Sequence, residues 1–386
     1  MKKTIVGINW IMVLVFLLVI FMPMKQSLSR VYWNYKKNFL SPKNTSINPI
    51  VLHPDKKITL RSFPIQFDDF FSKNFGYRNA LLKIANNIKY ILKDFSAEGI
   101  LIGKQGWLFL DKNDIINPVD TYRGAFAYDP EVLSSYVETI NQKNQWLSER
   151  GVPYFFVIAP NKHSIYPEYL PDYIRKTRQG TSTDDLINHL LSQTEVQVID
   201  LRIPLRTEKK DEFLYFPLGP HWNIKGANIA QKYMMDSISK VFPGKIQPEQ
   251  LEDDRFYLVH EASGDRRLAK NMGQNQLSQT YPKFIASKDQ KHSLVDDVIT
   301  HLLESENDQA ELEALIFRDS FGIAMIPFLN NYFKKVVYIW EVARLECLEL
   351  YFDKYGKPDL VIEVTLERLL YPDQFPELSP CETFKP

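Results

Sequence analysis

The chain has 386 residues, 45% of them apolar and 24% charged, which allows a packed core and excludes wholesale disorder. Lys+Arg and Asp+Glu both number 47, so the basic excess that phosphate binding needs is missing and a nucleic-acid partner is not expected. Two cysteines, Cys347 and Cys381, cannot build a structural zinc site; a disulfide between them is possible but is not the expectation.

The first strong signal is the uncharged stretch Thr4 to Met24. As a helix rising about 1.5 Å per residue it would cross roughly 30 Å, the thickness of a bilayer's hydrocarbon core. Lys2 and Lys3 precede it, so the N-terminus is expected in the cytoplasm. The segment lacks the small-residue cleavage pattern of a signal peptide, which favours a retained anchor. The rest of the chain is then expected outside the cytoplasm, periplasmic or extracellular, where acetyl-CoA, ATP and NAD are not freely available. No cofactor is expected.

Residues 1–25 read as cytoplasmic terminus and membrane helix, and 26–62 as a stalk. Residues 63–370 read as the main domain, with 245–313 as an insertion, and 371–386 as a tail. Phe67, Phe70, Phe71, Phe75, Leu81, Ile84, Ile88, Ile91 and Leu92 recur at helical spacing and are expected to pack a core. Ile100 to Leu110 reads as a hairpin around GKQG, with Trp107 packing against it. A helix follows, capped by Asp129 and stopped at Gly151. Five short apolar runs then alternate with helices: 154–160, 196–201, 314–320, 335–340 and 358–364. That alternation predicts a doubly wound parallel sheet of about five strands with helices on both faces.

Ligands bind such sheets at the carboxyl ends of the strands. Asn161, Lys162 and His163 follow the first run, and Asp200 ends the second. Arg318, Asp319 and Ser320 end the third, and Glu367 and Arg368 follow the fifth. Ser320 stands at a strand-to-helix junction, where it is either an N-cap or a nucleophile. A serine needs a base to take its proton, and His221 in GPHWNIKGA is the best candidate. Asn161, Lys162, Trp222 and Arg318 are candidates to line the cleft. Asp265 is read as a turn cap, and Glu367–Arg368 as an ion pair under the site.

The segments GKQGWLFL, VIAPNKHSIYPEYLP, HWNIKGA, SGDRRLA and FRDSFGIAMIPFL together resemble the alginate O-acetyltransferases of the AlgJ/AlgX type. The resemblance runs from about Phe63 to Leu370. It implies an SGNH-hydrolase-like domain with permuted motifs, Ser320 as nucleophile and His221 as base. It further implies an exported polysaccharide as acceptor and a multi-pass membrane acyltransferase as acetyl supplier. One motif departs: the family pattern Asp-x-His-Trp is Gly219-Pro220-His221-Trp222 in this chain. The orienting acid is absent from its place. Asp319, Asp211, Glu212 and Asp200 are the substitutes considered. A backbone carbonyl serving a Ser–His dyad stays open, as do an acetylesterase and a non-catalytic glycan-binding or assembly subunit.

Overall fold

A computed structural model describes residues 96–97, 99–111, 117–209, 213–247, 255–284 and 302–370, and the single positions 84, 88 and 381. The chain divides into two units, Met1–Ile88 and Lys89–Pro386. In the first, Ile84 and Ile88 are helical, but at 55% and 51% exposure they do not pack a core as the spacing predicts. The expected membrane helix, the stalk and all of the tail except Cys381 lie outside the described residues.

The second unit opens with a small antiparallel sheet of β1 (Ser96–Ala97), β2 (Ile100–Ile102) and β3 (Leu108–Leu110), the expected hairpin with one added strand. Trp107 is buried and stacks on Tyr169 at 4.2 Å. Helix α1 (Pro118–Arg123) follows, then α2 (Pro130–Ser148), where Asp129 accepts a hydrogen bond from Glu131 N and proline fills the first turn.

The central sheet has six strands among the described residues. β4 (Tyr154–Ala159), β5 (Gln197–Asp200), β9 (Glu313–Arg318), β10 (Lys335–Ile339) and β11 (Leu360–Leu366) are the five expected strands. They are parallel, in the order β5-β4-β11-β9-β10. The sixth strand, β8 (Leu302–Glu306), adds antiparallel to β10 at the edge. It comes from the segment read as an insertion, as does a separate hairpin of β6 (Phe256–Glu261) and β7 (Gln279–Phe284).

Both sheet faces are buried, and strand alternation divides them. Phe155, Val157, Ile316, Val336 and Ile362 face one cluster, with Ala230, Met234 and Ile238 of α6 (Ile224–Ser239). Phe156, Ile158, Phe317, Val337 and Val361 face the other, with Ile140 of α2, Leu186 of α4 (Ser182–Gln193) and Leu348 of α9 (Leu345–Tyr355). Shorter helices among this unit's described residues include α3 (Lys162–Ile165), α5 (Arg202–Glu208), α7 (Arg267–Asn271) and α8 (Ile326–Leu329). Cys347 on α9 is bonded to Cys381, and both are buried. This corrects the expectation of unpaired thiols. Sequence spacing cannot show that a tail residue returns to α9.

Candidate active site

β11 lies between β4 and β9, with Ala159 opposite Leu366 and Arg318 opposite Val364, so the three strands end at one edge. The chain leaves β4 for β5 on one side and β9 for β10 on the other. That reversal opens a crevice at the carboxyl ends. Asn161 follows β4, Ser320 follows β9, and Glu367 and Arg368 follow β11.

His221 reaches the same edge from the loop before α6. Asn223 caps that helix, accepting hydrogen bonds from Lys225 N and Gly226 N, which fixes the chain two residues after the histidine. Trp222 is buried, and its Nε1–H donates to Phe321 O at 3.0 Å, tying the histidine loop to the serine turn. The consequence is local: His221 Nε2 lies 2.9 Å from Ser320 Oγ, across 99 residues of sequence. The imidazole also sits 4.9 Å from the Phe321 ring, and only 12% of its side chain is exposed.

The other imidazole nitrogen, Nδ1, lies 2.7 Å from Asp265 Oδ2. Burial alone would raise the Asp265 carboxyl. Its bond and charge attraction to His221, with the Arg267 N–H and guanidinium, prevail and hold its pKa at about 2. It is therefore ionised and can only accept, so Nδ1 carries the proton. In the neutral ring, that tautomer turns the Nε2 lone pair toward the Ser320 hydroxyl.

Asp265 was expected to cap a turn, and it does: Oδ1 accepts from Arg267 N at 3.1 Å. The second carboxylate oxygen does what the sequence did not reveal. Gly219 explains how. A Cβ built on Gly219 would lie 2.5 Å from both Cγ and Oδ2 of Asp265 and 2.4 Å from its carbonyl oxygen. The vacancy that an Asp-x-His pattern would fill at residue 219 is occupied by a carboxylate from a different loop. Of the substitutes named from the sequence, the two that are described have other partners. Asp200 is engaged by Arg202 at 2.7 Å. Asp319 accepts from Phe321 N at 2.7 Å and Leu366 N at 2.8 Å, bracing the serine turn against β11. Asp211 and Glu212 lie outside the described residues. In the sequence SGDRRLA signals only a turn; the structure bends it at Gly264, whose φ of 72° is left-handed.

The remaining candidates divide. Lys162 is 2% exposed, and its Nζ donates to the carbonyls of Phe216, Pro217 and Gly219 at 2.9, 3.0 and 2.8 Å. Burial pushes its pKa well down, but three carbonyl dipoles and the Trp107 and Phe109 ring faces at 5.0 and 4.9 Å favour the ammonium. It braces the loop leading to His221 from beneath. Arg318 is buried over the Trp340 ring at 4.8 Å, with Gly322 packed against its stem. Asn161 is also buried; its Oδ1 accepts from Arg368 Nη1 at 3.2 Å. Glu367 and Arg368 do not form the expected pair. Glu367 turns inward to Asn161 N and Ser164 Oγ, while Arg368 covers the Phe321 ring at 5.5 Å. The chain turns into a short 3-10 helix, Glu367–Leu369, directly after β11, and that turn sends the two side chains to different partners. His163, beside Asn161, is held neutral by burial, with a pKa near 3, despite the Leu110 carbonyl accepting from Nε2 at 2.8 Å.

A three-layer α/β body with a mostly parallel sheet, and a serine at its strand ends, is the architecture of SGNH-hydrolase-like proteins. Residues 100–310, more than half of the chain, match the family described as ALGX, SGNH hydrolase-like domain, acetyltransferase AlgX. The chain belongs to that family. It is 25% identical over 170 residues to the probable alginate O-acetylase AlgJ of Pseudomonas aeruginosa, covering 43% of this chain but 40% of that one. The fold is similar to that of Bacillus cereus PatB1, with a TM-score of 0.51 and 18% identity over 74% of this chain and 98% of that one. PatB1 with a sulfonyl adduct gives the same TM-score, covering 72% and 99% of the two chains.

Proposed function

We propose that this protein is a membrane-anchored O-acetyltransferase that modifies a polysaccharide outside the cytoplasm through an acetyl ester of Ser320. The observation that carries the reading is the continuous relay Ser320–His221–Asp265, at 2.9 and 2.7 Å.

In the first half-reaction Ser320 Oγ attacks the acetyl carbonyl carbon of a donor ester while His221 Nε2 takes the hydroxyl proton. Asp265 stabilises the imidazolium that forms. The tetrahedral intermediate collapses, and His221 gives the proton to the departing donor oxygen. In the second half a sugar hydroxyl attacks acetyl-Ser320, its proton passing to His221 and then to Ser320 Oγ. Phe321 N–H is committed to Asp319, so it does not serve the oxyanion. Arg368 holds Asn161 Oδ1, which leaves the Asn161 amide NH2 as the donor we assign to that role.

Residues 4–24 serve as the anchor in this reading, and a multi-pass membrane acyltransferase supplies the acetyl group from the cytoplasmic side. The buried Cys347–Cys381 bond supports an oxidising compartment. The AlgJ relative supports a polysaccharide acceptor.

The test uses the purified full-length chain with p-nitrophenyl acetate. Nitrophenolate release and a Ser320 peptide heavier by one acetyl group are expected, both abolished in Ser320→Ala. An added oligosaccharide acceptor gains acetyl if the protein is a transferase. Acetate release without acetylated sugar makes it an esterase. No release from a folded protein makes it a non-catalytic subunit.

A further inference from the structure

The proposed acid and base sit on separate loops, and one buried amide joins them. Gln279, the first residue of β7, is 3% exposed. Its Oε1 accepts from Leu218 N at 2.9 Å, in the loop that leads to His221. Its Nε2 donates to Ser263 O and Asp265 O, both at 3.0 Å, in the loop that carries the carboxylate. Both functional ends of the side chain are thereby used, one on each loop. We infer that Gln279 is a positioning residue, setting the reach of Asp265 toward His221 by holding the two loops in register.

Three observations converge on this assignment. When the acid stands two residues before the histidine, a single turn of backbone fixes their geometry. Asp265 is 44 residues away from its partner, so the distance depends on tertiary anchors. The histidine loop is already anchored from below by Lys162. The aspartate loop bends at left-handed Gly264, where a Cβ would strike the Phe216 ring at 2.6 Å and Tyr281 at 3.0 Å. That close approach sets the spacing of the loops, and Gln279 fixes the remaining freedom, the slide of residues 263–265 along residue 218. An amide suits this task because it offers an acceptor to one strand of backbone and two donors to the other. Misplacement of an orienting group by about 1 Å costs on the order of 100-fold in rate.

This inference rests on the Ser320–His221–Asp265 reading, and a double-mutant cycle separates the two. Turnover of p-nitrophenyl acetate by the full-length chain is measured for wild type, Gln279→Met, Asp265→Asn and the double variant. Gln279→Met is expected to lower kcat roughly 10- to 100-fold with KM within about twofold. In the Asp265→Asn background the same change is expected to cost less than about twofold, because there is no carboxylate left to aim. Equal losses in both backgrounds, or unchanged kcat in folded Gln279→Met, overturn the inference while leaving the relay intact. Full activity of Asp265→Asn overturns the relay and the inference together. Should Gln279→Met fail to fold, Gln279→Glu is judged by the same cycle, since it keeps the acceptor for Leu218 N and loses the donors to residues 263 and 265.

Discussion

Gly219 and Asp265 exclude one another's side chains: a Cβ at residue 219 would fall 2.5 Å from the Asp265 carboxylate carbon. The absence of a side chain at one position is what lets the other reach His221. Gly219→Ala is therefore expected to push Asp265 aside and lower kcat about 100-fold or more, with the fold retained. The reciprocal pair Gly219→Asp with Asp265→Gly is expected to recover part of the loss, because it returns the acid to the family's place. Esterase kinetics on the two variants check both statements.

The Asp265 pKa of about 2 makes a stability claim. A carboxylate depressed in the folded state contributes stability above its unfolded pKa of about 3.9, and loses it as pH falls through the folded value. Wild type is thus expected to exceed Asp265→Asn by roughly 2 kcal/mol at pH 5, with the gap closing between about pH 4 and pH 2. Urea melts across that range measure it.

Lys162 donates to three carbonyl oxygens, and the Asp265 carboxylate is near enough to favour its charge. Lys162→Met keeps the stem and leaves three buried acceptors short of a donor. A loss of about 2 to 4 kcal/mol is expected, with kcat falling more than KM rises. Thermal melts and steady-state kinetics distinguish this from a lysine that holds substrate, which would move KM first.

Away from the site, Lys143 on α2 pairs with Glu363 on β11 at 2.6 Å, with side chains 4% and 2% exposed. Glu363 also accepts from Tyr154 Oη and Ala343 N. Removing one partner strands a buried charge, so Lys143→Met is expected to cost about 3 to 5 kcal/mol. Lys143→Met with Glu363→Leu is expected to cost less than the single change, as judged by denaturant midpoints.

The Cys347–Cys381 bond closes a segment with a sequence separation of 34. Chain-entropy reasoning gives about 3 to 4 kcal/mol for a loop of that length. Cys381→Ala is expected to lower the melting temperature under oxidising conditions and to leave it unchanged relative to wild type in reductant.

The amino-acid order determined five of the central strands and their parallel sense, but not the antiparallel edge strand β8. Runs such as YFFVIA and VVYI are apolar on both faces, and helices separate the strand runs, which leaves few arrangements besides a parallel layer. It also singled out Ser320 and His221, because a hydroxyl at a strand end and a histidine before a capped helix are local patterns. Tertiary structure alone decided which acid meets the histidine. Asp265 looks in the sequence like any turn-capping aspartate, and its second oxygen finds Nδ1 only because β6 and β7 fold the segment back over a position that has no side chain. The Arg368 contact with Asn161, the inward Glu367 and the Lys162 brace are of the same kind. Local preference fixes an element, whereas the partner of a buried charge is set by what folding brings within 3 Å of it.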